Sequence, residues 1–306
     1  MKLITAFFRL IRWQNLVFIS LTQGLFYYCV YHSMFRTEQN TFQLLWIMAA
    51  SILIAAGGYI INDYFDLNID LINKPTKNVI NMVISRRWAI AWHLILSVAA
   101  VGCTIMAVGF QKWYLILGNI ACILLLWFYS TSFKRQLLIG NIVIAVLTAW
   151  TVLVIFYTFV PLYNAIGTHN LTAVKLFRAA FLYAGFAFVI TLIREAVKDM
   201  EDMKGDARYG CKTLPIVAGV TVTKIYTMVW TIVLIGALVV LQLYVLQFSW
   251  WWAVLYSLLF VIIPLVYFAL LLFRSRTTQD FKKLSAFIKW IMLAGIVSMI
   301  FFRIYL

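Results

Sequence analysis

Long apolar runs, separated by short polar stretches, divide the whole chain. Runs of the length a spanning helix needs, about 20 mainly apolar residues, occur at 14–34, 42–61, 89–110, 113–130, 138–160, 177–195, 219–246, 250–272 and 285–303. Within each run the apolar positions are continuous. They do not alternate every second residue, as strands of a membrane barrel would. The pattern predicts an all-α fold: a polytopic membrane protein of nine transmembrane helices in a single domain over residues 1–306.

Composition agrees with that reading and removes the soluble alternatives. The chain is 65% hydrophobic and only 11% charged, with a mean hydropathy of +0.96. A soluble domain is about half apolar and about a quarter charged. The start, Met1-Lys2-Leu3 with Arg9 and Arg12, offers no small-residue cleavage site after a short apolar stretch, so the first apolar run is expected to be retained. The four cysteines and three histidines are scattered without ligand spacing, which argues against zinc or haem. No glycine-rich phosphate-binding loop of either common pattern occurs.

Charge placement gives the orientation. The stretches on the side of the amino terminus, span ends included, hold 20 of the 25 lysines and arginines. The other side holds Arg36, Lys112, Lys175, Arg178 and Arg303. Positive charge is retained in the cytoplasm, so the amino terminus is expected inside and the carboxyl terminus outside, in the plasma (inner) membrane. The net charge of +15 then reflects topology and attraction to anionic lipid and phosphate, not nucleic acid.

Nine of the ten acidic residues also fall on that side, and six of them form two triplets of identical spacing, D-x2-D-x3-D. The first is Asp63, Asp66 and Asp70; the second is Asp199, Asp202 and Asp206. They follow the second and sixth runs, an offset that a parallel internal duplication would give. At about 100° per residue, positions i, i+3 and i+7 share one helix face. Each triplet is therefore expected to present three carboxylates on one face of a helix extending beyond its span. Carboxylates this close need compensating charge, and hard oxygen ligands suit Mg2+ bridging to a phosphorylated ligand. Asn62 could add a neutral oxygen. Lys134, Arg135, Arg194, Arg208 and Lys212, on the same side, could supply donors to diphosphate oxygens. Arg194 follows apolar residues, which places it near the membrane boundary facing inward. Plainer readings stand beside this one: acids solvated at helix ends, or a second triplet neutralised by Lys198 and Lys204.

Asn62-Asp63-x-x-Asp66-x-x-x-Asp70, followed by Asn73-Lys74-Pro75, resembles the first motif of the UbiA superfamily of intramembrane prenyltransferases, and Asp199-x-x-Asp202-x-x-x-Asp206 resembles its second. The resemblance covers the whole chain. It implies a helical bundle around a central cavity that opens to lipid and is capped by the motif loops. It further implies that the six aspartates hold Mg2+ and, through it, the diphosphate of a polyprenyl donor. Tyr129 and Lys134 match a tyrosine and a basic position in the loop after the fourth helix, and Gly140-Asn141 the start of the fifth. Arg194-Glu195, Lys198-Asp199 and Lys212-Thr213-Leu214-Pro215 look most like the branch that makes digeranylgeranylglyceryl phosphate. Lys77-Asn78-Val79-Ile80-Asn81 departs from that branch and leaves the acceptor open.

The chemistry so implied is Mg2+-dependent prenyl transfer, with Asp63, Asp66, Asp199, Asp202, Lys134 and Arg194 at the reacting diphosphate. Asn62, Tyr129, Asn141, Lys198, Arg208 and Lys212 join them in binding substrate. The acceptor is expected to be lipid-like, of the geranylgeranylglyceryl phosphate type, or an aromatic quinone precursor. Membrane lipids are the other expected partners; nucleic acid and an obligate protein partner are not. A cation or solute transporter is a different class of reading, but transporters place such groups near mid-membrane.

Overall fold

The computed structural model describes residues 2–35, 40–73, 85–160 and 171–306. Among them there are helices and no strands. Among the described residues, eight helices are long and apolar enough to cross a membrane. The expected first span, 14–34, is the ninth. It runs without a gap from 13 to 35, but a π-helical turn at Phe26–Tyr31 divides it into Trp13–Leu25 and His32–Phe35. Its uninterrupted pieces are therefore each shorter than a full span. The other eight expected spans coincide with the long helices, with the sixth extended to Leu171–Arg208.

Local sequence explains where the helices begin and end. Asn40 and Ser85 cap the Thr41–Phe65 and Arg86–Val108 helices by accepting from the Gln43 and Trp88 amides. Thr277 and Asp280 form a reciprocal capping box at the start of Thr278–Val297. The tight link between the third and fourth spans turns at Gly109, whose φ of 61° favours glycine. A single 3-10 turn, Phe110–Lys112, then leads into Trp113–Thr131.

The Leu171–Arg208 helix is the hub. It packs on Ile139–Phe159, Thr278–Val297 and Gly219–Leu246, and also on the short Leu67–Asn73 helix that follows the second span. The last contact brings the two acidic segments together. Large apolar side chains remain exposed on the outside, among them Val98, Trp252, Phe273 and Trp290. So much outward apolar surface belongs in lipid, and the chain is a multi-pass membrane protein. Polar contacts also tie helix ends together at the two ends of the bundle. Lys224 reaches the Ser275 carbonyl on one side, and Lys112 reaches the Thr158 carbonyl at 2.5 Å on the other.

One expectation is corrected here. The first triplet does not lie on a single continuous helix. Asp63 is in the last turn of Thr41–Phe65, Asp66 is the cap, and Asp70 belongs to Leu67–Asn73. The Asn62 side-chain amide donates to Asp66 Oδ2 at 2.7 Å, so the side chain of Asp66 folds back on the helix that it ends. The break is shallow, because the Asp66 and Asp70 amides still bond four residues back at 2.9 and 2.8 Å. The second triplet is continuous, within Leu171–Arg208.

Candidate active site

A cavity of about 1080 Å³ opens between the helices, and all six triplet aspartates line it. Asn62, Tyr129, Lys134, Asn141, Arg194 and Lys198 line it as well. Arg208 and Lys212, expected among the phosphate donors, do not: both side chains are exposed, Arg208 at the last residue of the long helix and Lys212 just beyond it. Lys212 contributes through its backbone instead, its amide donating to the Arg135 carbonyl at 2.7 Å. Arg135 is likewise exposed.

At the polar end the acids are held by cations and amides from other helices. Asp63 Oδ1 accepts from Arg12 at 2.6 Å. Asp66 is in contact with the Lys134 ammonium, and Asp199 Oδ2 accepts from the Asn141 amide at 2.9 Å. Glu195, buried, takes Arg194 at 2.7 Å and Lys198 at 3.0 Å. Among the described residues, no three of the acidic, histidine and cysteine side chains close on one point as a finished metal cluster. The carboxylates instead line one shared space. The Asn62 Oδ1 atom is buried there without a hydrogen-bond partner, a free hard oxygen beside Asp63 and Asp66. This donor set suits an ion that takes one or two carboxylates and completes its shell with water and phosphate.

Lys134 sits on the 3-10 turn Phe133–Arg135. The turn lies against the start of Ile139–Phe159 so closely that a Cβ on Gly140 would stand 2.8 Å from the Lys134 Cα. Burial, and then repulsion by Arg135, bring the Lys134 ammonium down to about 7. Its charge therefore depends on its acidic neighbours. Desolvation works against the Arg12 guanidinium, but Asp63, Tyr59 and Asp70 together more than offset it, so its pKa lies above the ordinary arginine value.

Sequence reasoning counted Arg12 only as a positive-inside charge. In the fold it lies at a left-handed turn, φ 50°, between Lys2–Leu10 and Trp13–Leu25, with its guanidinium 5.0 Å from the centre of the Tyr59 ring. Asn15 and Lys289 also line the cavity and were missed. A signal was available for Lys289, a charge between the buried Ile288 and Ile291. The deeper wall is mainly apolar, with Phe18, Ile54, Ile144, Leu147, Phe186 and Met292 among its residues. Lys74-Pro75 and the departure at 77–81 lie outside the described residues.

Fold and site thus define a class: a helical membrane protein whose interior cavity joins an acid- and cation-rich mouth to an apolar channel. Residues 16–293 match the UbiA prenyltransferase family, and the chain belongs to it. It is 35% identical over 176 residues to a digeranylgeranylglyceryl phosphate synthase from Thermococcus sibiricus, covering 58% of this chain and 56% of that one. The match thus spans little more than half of that relative's length. A protein of the same name from Methanosphaera stadtmanae is 31% identical over 254 residues, covering 81% of this chain and 83% of the other. A solved UbiA homologue from Archaeoglobus fulgidus, bound to DMAPP and Mg2+, shares the fold with a TM-score of 0.56 at 15% identity, over 95% of this chain and 99% of that one.

Proposed function

We propose that the chain, as a single domain over 1–306, transfers a polyprenyl group from a prenyl diphosphate to the hydroxyl of a geranylgeranylglyceryl phosphate-type acceptor. One observation carries this reading. Two aspartate triplets far apart in sequence line one cavity with Lys134, Arg194 and Lys198, and the cavity continues into an apolar wall. A diphosphate suits the mouth, and a prenyl chain suits the wall, since each buried CH2 is worth about 0.8 kcal/mol. The curated relatives' names favour the glyceryl phosphate acceptor over an aromatic ring. Excess positive charge on one side of the chain supports a plasma-membrane orientation with the motif loops and amino terminus cytoplasmic and the carboxyl terminus outside. No obligate protein partner is invoked.

Mg2+, when bound by the triplet carboxylates, with Asn62 as an added oxygen, would supply Lewis-acid stabilisation of the diphosphate. The chain's own residues do the rest. Lys134, Arg194 and Lys198 offer charge-assisted hydrogen bonds to the leaving oxygens as the C1–O bond breaks and its electron pair departs with diphosphate. The apolar wall keeps water from the allylic cation. The acceptor hydroxyl oxygen bonds to C1, and its proton leaves to the released diphosphate or to a carboxylate.

The test is incubation of purified protein with geranylgeranyl diphosphate and geranylgeranylglyceryl phosphate, 4-hydroxybenzoate or dihydroxynaphthoate, with products read by mass spectrometry. The ether-lipid product is expected alone. Chelation should suppress it by at least about a hundredfold, with Mg2+ restoring it. Product formed undiminished under chelation would remove the metal assignment. Cation flux into liposomes without any product would move the protein to the transporter class.

Gly140→Ala offers a separate check on the Lys134 turn. Its methyl group would displace backbone atoms of Phe133 and Lys134. Turnover is expected to fall about 10- to 100-fold, as misplacing a reacting group by about 1 Å does, with the circular dichroism spectrum unchanged. Wild-type turnover would show that the position of this turn does not matter.

A further inference from the structure

We propose that Lys289, with Asn15 and Arg194, forms a second anion subsite in the cavity, which takes the phosphate monoester of the acceptor lipid. This rests on the reading of the cavity as a prenyl-transfer site and assigns a specific task to residues outside the aspartate motifs.

The residues come from three helices. Lys289 lies on Thr278–Val297, Asn15 on Trp13–Leu25 and Arg194 on Leu171–Arg208. The Lys289 ammonium donates to Asn15 Oδ1 at 3.2 Å. A lysine on a spanning helix, half-buried and facing a cavity, is expensive unless something answers its charge. Here its hydrogen bond goes to a neutral amide. Its electrostatic surroundings are mostly positive: Arg194, Lys198 and Arg12 all act on it, with Glu195 opposing them.

The neighbouring cations already meet carboxylates: Arg12 contacts Asp63, and Arg194 and Lys198 both contact Glu195. A phosphate monoester near neutral pH carries about −1.5 to −2 and would answer the Lys289 charge. The Arg194 Nε atom adds a donor that is buried without a hydrogen-bond partner. A neutral acceptor would leave this group uncompensated, and an extra magnesium ion would be repelled by it. The donor diphosphate also has the aspartates, Lys134 and Lys198, around the Asp66–Lys134 and Asp199–Asn141 contacts, with Arg194 shared between the two places. Two phosphorylated substrates thus have two anion-binding places in one cavity, one through the metal-binding carboxylates and one through Lys289.

The experiment compares binding of geranylgeranylglyceryl phosphate and geranylgeranylglycerol, its phosphate-free counterpart, by tryptophan fluorescence in detergent, since Trp13 and Trp150 line the cavity. Wild-type protein is expected to prefer the phosphate about tenfold or more, the scale of a charge-assisted hydrogen bond. Lys289→Met should cut that preference by about tenfold, Lys289→Gln should do the same, and Lys289→Arg should retain most of it. Mg2+-supported binding of geranylgeranyl diphosphate should stay within about twofold in all three, which also reports that the variants are folded. Equal binding of the two lipids by wild type would overturn the subsite. So would a preference that survives both neutral variants, and so would donor binding that weakens in step with acceptor binding, since that would assign Lys289 to the donor. A Lys289-dependent phosphate preference in a protein that forms no product would support the subsite while removing the proposed reaction.

Discussion

Asp63→Asn and Asp202→Asn are each expected to lower turnover on the order of 10²- to 10³-fold, the range seen when one preorganised electrostatic group is removed from an active site. Asparagine keeps the size of the side chain and one oxygen, but loses the charge that a divalent cation requires. At Asp63 it can still accept from Arg12, whose 2.6 Å bond otherwise holds the end of the second span to the start of the first. Loss of activity would therefore not come from a loosened bundle. Asp202 lies on the other wall, in the continuous second triplet. If the walls act on one shared ion and diphosphate, the double variant should be little worse than the worse single one, because residues acting as a unit are not additive. Steady-state kinetics with circular dichroism on the three variants decide this. Normal turnover in both singles would sink the metal reading, and strictly additive losses would mean that the walls work separately.

Spans and the acidic triplets were legible because each is a local pattern, readable from apolar run length or fixed spacing. What the sequence hid depends on long-range packing. The fold-back at Asp66 depends on the Asn62 amide meeting a neighbouring carboxylate, and the sequence pattern, i to i+3 to i+7, is the same with or without the break. Arg12 looked like any positive-inside arginine until the first helix folded its turn over Tyr59 and Asp63. Lys289 stands 274 residues from Asn15, and no local pattern joins them. Arg208 and Lys212 lie outside the cavity lining for the converse reason. Nearness in sequence to Asp206 is not nearness in space once the helix ends at Arg208 and the next turn carries Lys212 outward.

Lys134→Met is expected to lower turnover about a hundredfold and, at the same time, to reduce the Mg2+ concentration needed for half-maximal activity. The two effects oppose one another in sense, and together they identify the role. The Lys134 ammonium lies against Asp66, a residue assigned to the ion. A lysine there competes with a cation for the carboxylate, and it also gives the diphosphate a donor once the carboxylate is engaged. Removing it relieves the competition and forfeits the donor. A residue that merely braced the fold would change neither ion requirement nor turnover selectively. Lys134→Arg should not restore turnover. Its turn is fixed by the Lys212-to-Arg135 backbone bond and by close contact with Gly140, so the longer planar guanidinium has no room to retract. Titrating Mg2+ at saturating donor in wild type and both variants supplies the measurement. An unchanged half-saturation with full turnover in Lys134→Met would show that this ammonium is only ballast against the carboxylates.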